Sequence, residues 1–189
     1  MNLIKNLSSL QKYLSVDYLK NNCTKIHAFG LGFIQIKLGE VERVHVYTSK
    51  VSLTTTEEEI HNHRYDFTST ILKGTLKNKI YQVESNENGK FMLIDEACNP
   101  TASKSDKKLR VNQPKLITEF NTGTGQSYKI DKDVFHQVEA LEGTITLVER
   151  GPVVKSMAQI IYPEDISTTC PFSSNLPEDE LWKIVKEFV

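Results

Sequence analysis

Residues 61–74 read HNHRYDFTSTILKG, and how this run is read decides the fold. Side chains at i and i+2 of a strand point the same way, so His61 and His63 would bring two imidazoles into one small volume. The residues that follow are rich in β-branched and aromatic types and stop at Gly74, the pattern of a strand closed by a turn. A third histidine, His136, lies in residues 125–151, GQSYKIDKDVFHQVEALEGTITLVERG, just past an Asp-rich turn and at the start of another strand. If His136 enters beside the first pair, three neutral imidazoles can share one divalent transition metal.

The rest of the chain sets bounds on this reading. At 189 residues the sequence predicts a single domain (1–189) large enough to bury a real core. The formal net charge of -1 offers no basic field for a phosphate backbone, so no nucleic acid partner is expected. No apolar run approaches the roughly 18 residues that span a bilayer, so no membrane partner is expected either. The N-terminal residues have no continuous apolar stretch or small-residue cleavage site, and three cysteines (Cys23, Cys98, Cys170) form no paired spacing. Both features point to a reducing, cytoplasmic setting.

Leu3, Leu7, Leu10 and Leu14 recur at helical spacing, which predicts one amphipathic helix or two short ones over about residues 1–24. From Gly30 the texture becomes short alternating β-branched and aromatic runs, which predicts an antiparallel β-barrel over 30–163. In SNENGK (85–90), Asn88 and Gly89 suit a type I′ hairpin. Residues 97–114 are polar and aperiodic and read as a mobile loop. NLPEDELWKIVKEFV (175–189) opens with Pro177 and acids, then places Leu181, Ile184, Val185 and Phe188 on one face. This predicts a C-terminal helix (176–189) docked on the sheet, with Trp182 as packing. The fold class is therefore mainly β, a jelly-roll sandwich or barrel with N-terminal and C-terminal helices.

The two histidine segments resemble the paired motifs of the cupin superfamily, double-stranded β-helix barrels that hold a metal inside. His61, His63 and Gly74 fall at the first motif's positions, with Phe67 where the motif has glutamate. Gly125 and His136 fall at the second motif's positions, while Asp131, Asp133 and Ala140 replace its Pro, Gly and Asn. The resemblance covers residues 51–151 and leaves out the helical ends. Three imidazoles leave a divalent ion its full charge, which a carboxylate would partly cancel, so such a site favours an anionic guest. Among cupins, the pattern is similar to the three-histidine thiol dioxygenases, of which cysteine dioxygenase is one. That resemblance implies iron(II) as cofactor, with zinc, nickel or manganese as alternatives, and an oxidoreductase taking a small-molecule substrate and dioxygen. Because cupins commonly pair through sheet edges, it also implies a homodimer as the first assembly to test.

His61, His63 and His136 are the candidate metal ligands. Tyr128, Tyr65 and His45 are candidate catalytic residues: a phenol can donate to substrate, and His45 can orient it or relay a proton. Arg43, Arg150 and Phe67 are candidate substrate-binding residues. A guanidinium can grip a carboxylate in bidentate fashion, and Phe67 would dry the site as an apolar wall. Each has a plainer alternative: an exposed strand face for Arg43, a surface ion pair for Arg150, a carbonyl-bonded core tyrosine for Tyr128. Two other functions stay open, a zinc-dependent hydrolase or isomerase and a non-catalytic module that binds a small ligand.

Overall fold

The computed structural model describes residues 7–51, 60–96, 108–163 and 176–189. Its N-terminal part is a short helix α1 (Leu7–Leu10), a 3-10 turn (Gln11–Leu14) and α2 (Val16–Asn22), whose N-cap Ser15 accepts a hydrogen bond from Tyr18 N–H. The two-helix option therefore holds, with Leu3 outside the described residues. Strands follow: β1 (Lys25–Phe29), β2 (Phe33–Leu38), β3 (Glu42–Tyr47), β4 (Ile60–His61), β5 (Phe67–Lys73), β6 (Thr75–Gln82) and β7 (Phe91–Glu96). Then come β8 (Lys108–Val111), β9 (Lys115–Gly123), β10 (Ser127–Ile130), β11 (Phe135–Ala140), β12 (Ile145–Arg150), β13 (Ala158–Pro163) and the helix α3 (Glu178–Phe188).

All pairings are antiparallel and fall into two sheets, ordered β1-β2-β3-β12-β5-β10 and β8-β7-β13-β4-β11-β6-β9. Take β3, β4, β5, β6, β9, β10, β11 and β12 as strands one to eight. The first sheet then holds one, eight, three and six side by side, and the second holds two, seven, four and five. Apart from the β6 to β9 step, each consecutive pair crosses from one sheet to the other. This interleaving of two Greek keys is a jelly roll. β1 and β2 widen the first sheet, and β13, β7 and β8 widen the second.

The main apolar core lies outside this barrel. Ile34, Ile36, Val44, Val46, Ile145 and Leu147 face the helices and meet Leu10, Tyr13, Leu19, Leu181, Trp182 and Val185. Side chains of this size stabilise the fold by about 1.5–3 kcal/mol each when fully buried. The Tyr13 hydroxyl adds a hydrogen bond to Glu42 Oε1 (2.7 Å). Strand alternation sends the intervening residues of β3, namely Arg43, His45 and Tyr47, into the barrel, where they are only half-buried although Val44 and Val46 are 0% exposed. The barrel face of β3 is thus polar and charged, whereas its helix-facing side is apolar.

Two local expectations fail. β6 pairs with β9 and β11, whereas β7 pairs with β13 and β8, so residues 85–90 close no hairpin. There Asn86 Oδ1 accepts from Asn88 N–H (3.0 Å), and Gly89 N–H donates to Asn86 O (2.9 Å), a local side-chain turn in place of type I′. The expected loop at 97–114 contains β8, because Val111 finds full burial and the strand pairs with β7. Residues 97–107, with Cys98, and also Cys170 lie outside the described residues. No helix among the described residues is long and apolar enough to cross a membrane.

Candidate metal centre

His61 is the last residue of β4, and its Cα partner across the ladder is His136, the second residue of β11. His63 lies beyond the strand end, so the pair does not share one strand as the spacing suggested. Other bonds carry it to the same place. Asn62, buried between the two histidines, donates through Nδ2 to Gln159 Oε1 (2.9 Å) and accepts at Oδ1 from Gln159 N–H (2.8 Å). His63 N–H then donates to Lys132 O (3.2 Å), and Lys132 N–H donates to Asp66 Oδ1 (2.8 Å). The Asp-rich turn before β11 is thus tied to the chain on either side of Tyr65, which brings the distant motif into register with the first.

The three rings meet. Their centroids are 4.8 Å apart for His61 and His63, 4.9 Å for His61 and His136, and 5.0 Å for His63 and His136. One nitrogen from each lies within 4.8 Å of the others, and Nε2 of His63 is 2.8 Å from Nε2 of His136. Two nitrogens at about 2.1 Å from one ion and at right angles stand about 3.0 Å apart, so the spacing fits a shared metal. Among the described residues the group contains no carboxylate.

Electrostatics agrees with the donor chemistry. Burial holds His63 well below the usual imidazole range, and the adjacent His61, His136, His45 and Arg43 depress it further. Burial does the same for His136, with His61 adding to it. Neutral imidazole is the form that ligates a metal. Asn78 Oδ1 lies 3.3 Å from His136 Nδ1. With that amide oxygen accepting the Nδ1 hydrogen, the Nε2 lone pair of His136 is left facing the cluster.

Phe67, 6% exposed, stands 4.7 Å from the His63 ring and 5.9 Å from His136, an apolar wall where the cupin motif has its glutamate. Tyr128 packs against Phe67 (6.3 Å) and Phe120 (5.9 Å). Burial raises its pKa, against a smaller lowering from Ser69 and Asn78, whose polar atoms lie beside the phenol without forming well-aligned hydrogen bonds. Tyr65 is 6.0 Å from His63 and accepts a 2.6 Å hydrogen bond from Arg43, whose guanidinium also lies over the phenol ring. Arg43 thus faces inward rather than lying on an exposed strand face. Arg150 stacks on the same ring (5.5 Å) while holding Glu40 through its carbonyl (2.6 Å) and carboxylate (3.2 Å), so the ion pair and the interior contact coexist. His45 meets Gln35 Nε2 at 3.0 Å, and burial pulls its pKa down to about 3.

All five histidines of the chain, His27 and His45 included, face this interior. Sequence reasoning missed Asn62, Asn78, Gln35 and Asp66. Asn62 left a faint signal, an amide between two candidate ligands. Asn78 left none, since its partner is 58 residues away.

No family model matches the sequence, and no curated protein matches it. Among solved structures, the chain is similar to hydroquinone 1,2-dioxygenase from Sphingomonas sp. TTNP3 with 4-hydroxybenzoate bound, at 8% identity and a TM-score of 0.32, over 61% of this chain and 65% of that one. It is also similar to ycfD of E. coli, at 12% identity and a TM-score of 0.36, over 84% of this chain and 41% of that one. The chain thus spans less than two thirds of the length of either protein. The strand order carries the fold: a jelly roll whose interior gathers three histidines able to hold a metal ion.

Proposed function

We propose that the chain is a non-heme iron dioxygenase acting on a small anionic substrate, with a thiol as the class that the sequence resemblance names. The observation that carries this reading is the convergence of His61, His63 and His136 with no carboxylate in the group, burial holding His63 and His136 neutral. A ferrous ion held by these nitrogens supplies dioxygen binding, redox chemistry and an uncompensated positive charge that attracts an anion. The chain's own residues do the rest. Arg43, fixed by the Tyr65 hydroxyl, meets a substrate carboxylate. Phe67 and the Tyr128 ring exclude water from one side, and the Tyr128 phenol, kept protonated by burial, donates a hydrogen bond to the substrate.

Elemental analysis of protein purified without oxygen, followed by oxygen-electrode assays with small thiols and other organic acids, tests this reading. Wild-type protein is expected to carry about one iron per chain, and His61→Ala and His136→Ala to carry almost none, since three ligands cannot drop to two without large loss of affinity. Metal retained by both variants would end the proposal. Zinc in place of iron, with no oxygen uptake, would move the site to hydrolytic chemistry.

A further inference from the structure

On the inner face of the first sheet, chemistry changes from row to row. Arg43 and Lys37 are cross-strand partners in one row, and His45, Gln35 and Thr146 occupy the next. Residues two apart along a strand are separated by about 6.6 Å. In the first row, burial lowers the pKa of both Arg43 and Lys37, and Arg150 adds to both shifts. Neither forms an ion pair within the described residues, and Glu40, whose charge acts on Lys37, is held by Arg150. In the second row, Thr146 is 0% exposed and its Oγ1 has no hydrogen-bond partner. Its neighbour Val148 belongs to the apolar group inside the barrel, whereas Ile145 and Leu147 face the helices, so the hydroxyl points inward beside His45. A buried hydroxyl without a partner destabilises a fold and calls for a physical reason.

We propose that Thr146 and His45, with Gln35 holding the imidazole, form a second subsite that takes a neutral hydrogen-bonding group, an amide or a hydroxyl, of an extended organic anion whose charged end lies one row away at Arg43 and Lys37. This rests on the reading above that the interior takes an anion at Arg43, and it sets a length. The ligand must span about two residues of strand.

The test uses chelator-treated, metal-free protein and three probes at millimolar concentration, read by thermal unfolding. Adipamate has a carboxylate and a terminal amide whose carbons lie roughly 6 Å apart, given C–C bonds of about 1.5 Å. Hexanoate lacks the amide, and succinamate is shorter. Adipamate is expected to raise the melting temperature by a few degrees more than either. Thr146→Val should lose that extra increment while keeping the shift given by hexanoate, and Arg43→Gln should lose every shift. The unliganded Thr146→Val protein should be as stable as wild type or more so, because the change removes an unpaired hydroxyl; a hydroxyl with a purely structural role would give the opposite. Equal protection by the three acids, an unchanged preference for adipamate in Thr146→Val, or no protection by any acid would overturn the proposal. Since every measurement is made without metal, failure of the iron reading leaves these results interpretable.

Discussion

The cluster depends on residues that hold the ligands as much as on the ligands. Asn78 is fully buried, its Oδ1 faces His136 Nδ1, and its Nδ2 is left without a partner of its own. Losing the amide would free the imidazole to rotate or to carry its hydrogen on the wrong nitrogen. Asn78→Ala is therefore expected to weaken metal binding 10–100-fold, by roughly the usual cost of losing such a partner, while the chain stays folded. Competition with a chelator of known affinity measures it, and unchanged affinity would mean that Asn78 does not orient the ring. The histidines themselves were legible from spacing and from strand character on either side. Asn62 and Asn78 were not, because a polar residue in a β-segment reads as solvent-facing until the partner that buries it is known.

Among elements, the turn between β5 and β6 carries the chain from one sheet to the other. Gly74 takes φ +85, and a Cβ there would lie 2.6 Å from Thr144 Oγ1 and 3.0 Å from the Thr144 Cα. Backbone at that distance cannot swing away as a side-chain end can. Gly74→Ala is expected to cost about 1–3 kcal/mol in urea denaturation, through left-handed strain and this contact together. A neutral result would show that the turn can relax. The motif glycine could be picked out because its role is local. The failed hairpin at 85–90 shows the reverse case: Asn-Gly favours a tight reversal, but the strands that follow take other partners, and Asn86 satisfies the turn by itself. Strand existence follows from local composition, whereas strand partnership follows from which faces can be buried together.

At the scale of the whole molecule, the interior histidines couple folding to pH. Burial lowers His45 to about 3 and His27 to about 4, with positive neighbours adding to both. Unfolded, each would titrate near 6.5. Above that value both states are neutral and these groups contribute no pH dependence. As pH falls through 6.5 toward the folded values, the unfolded chain takes up protons that the native one refuses, so stability is lost. Each group can contribute at most about 1.4 kcal/mol per pH unit in that window, and less where water reaches the half-buried rings. Metal-free His63 and His136 act in the same direction. Denaturation midpoints should fall between pH 7 and pH 5, a window placed by these shifts, and a flat or rising profile would contradict neutral burial.

By itself the sequence determined the mainly β fold class and the two helical ends, and the resemblance of its paired motifs singled out His61, His63 and His136. The fold class and the helical ends follow from local rules, strand alternation and helical periodicity. Only the tertiary structure decided that the largest apolar core lies outside the barrel against the helices, leaving Arg43, His45 and Tyr47 facing the barrel interior. The reason is that alternation says which residues of a strand share a face but not which face a second layer will cover. Helices Leu7–Leu10, Val16–Asn22 and Glu178–Phe188 settled that, and with it which side of the first sheet was free to hold a site.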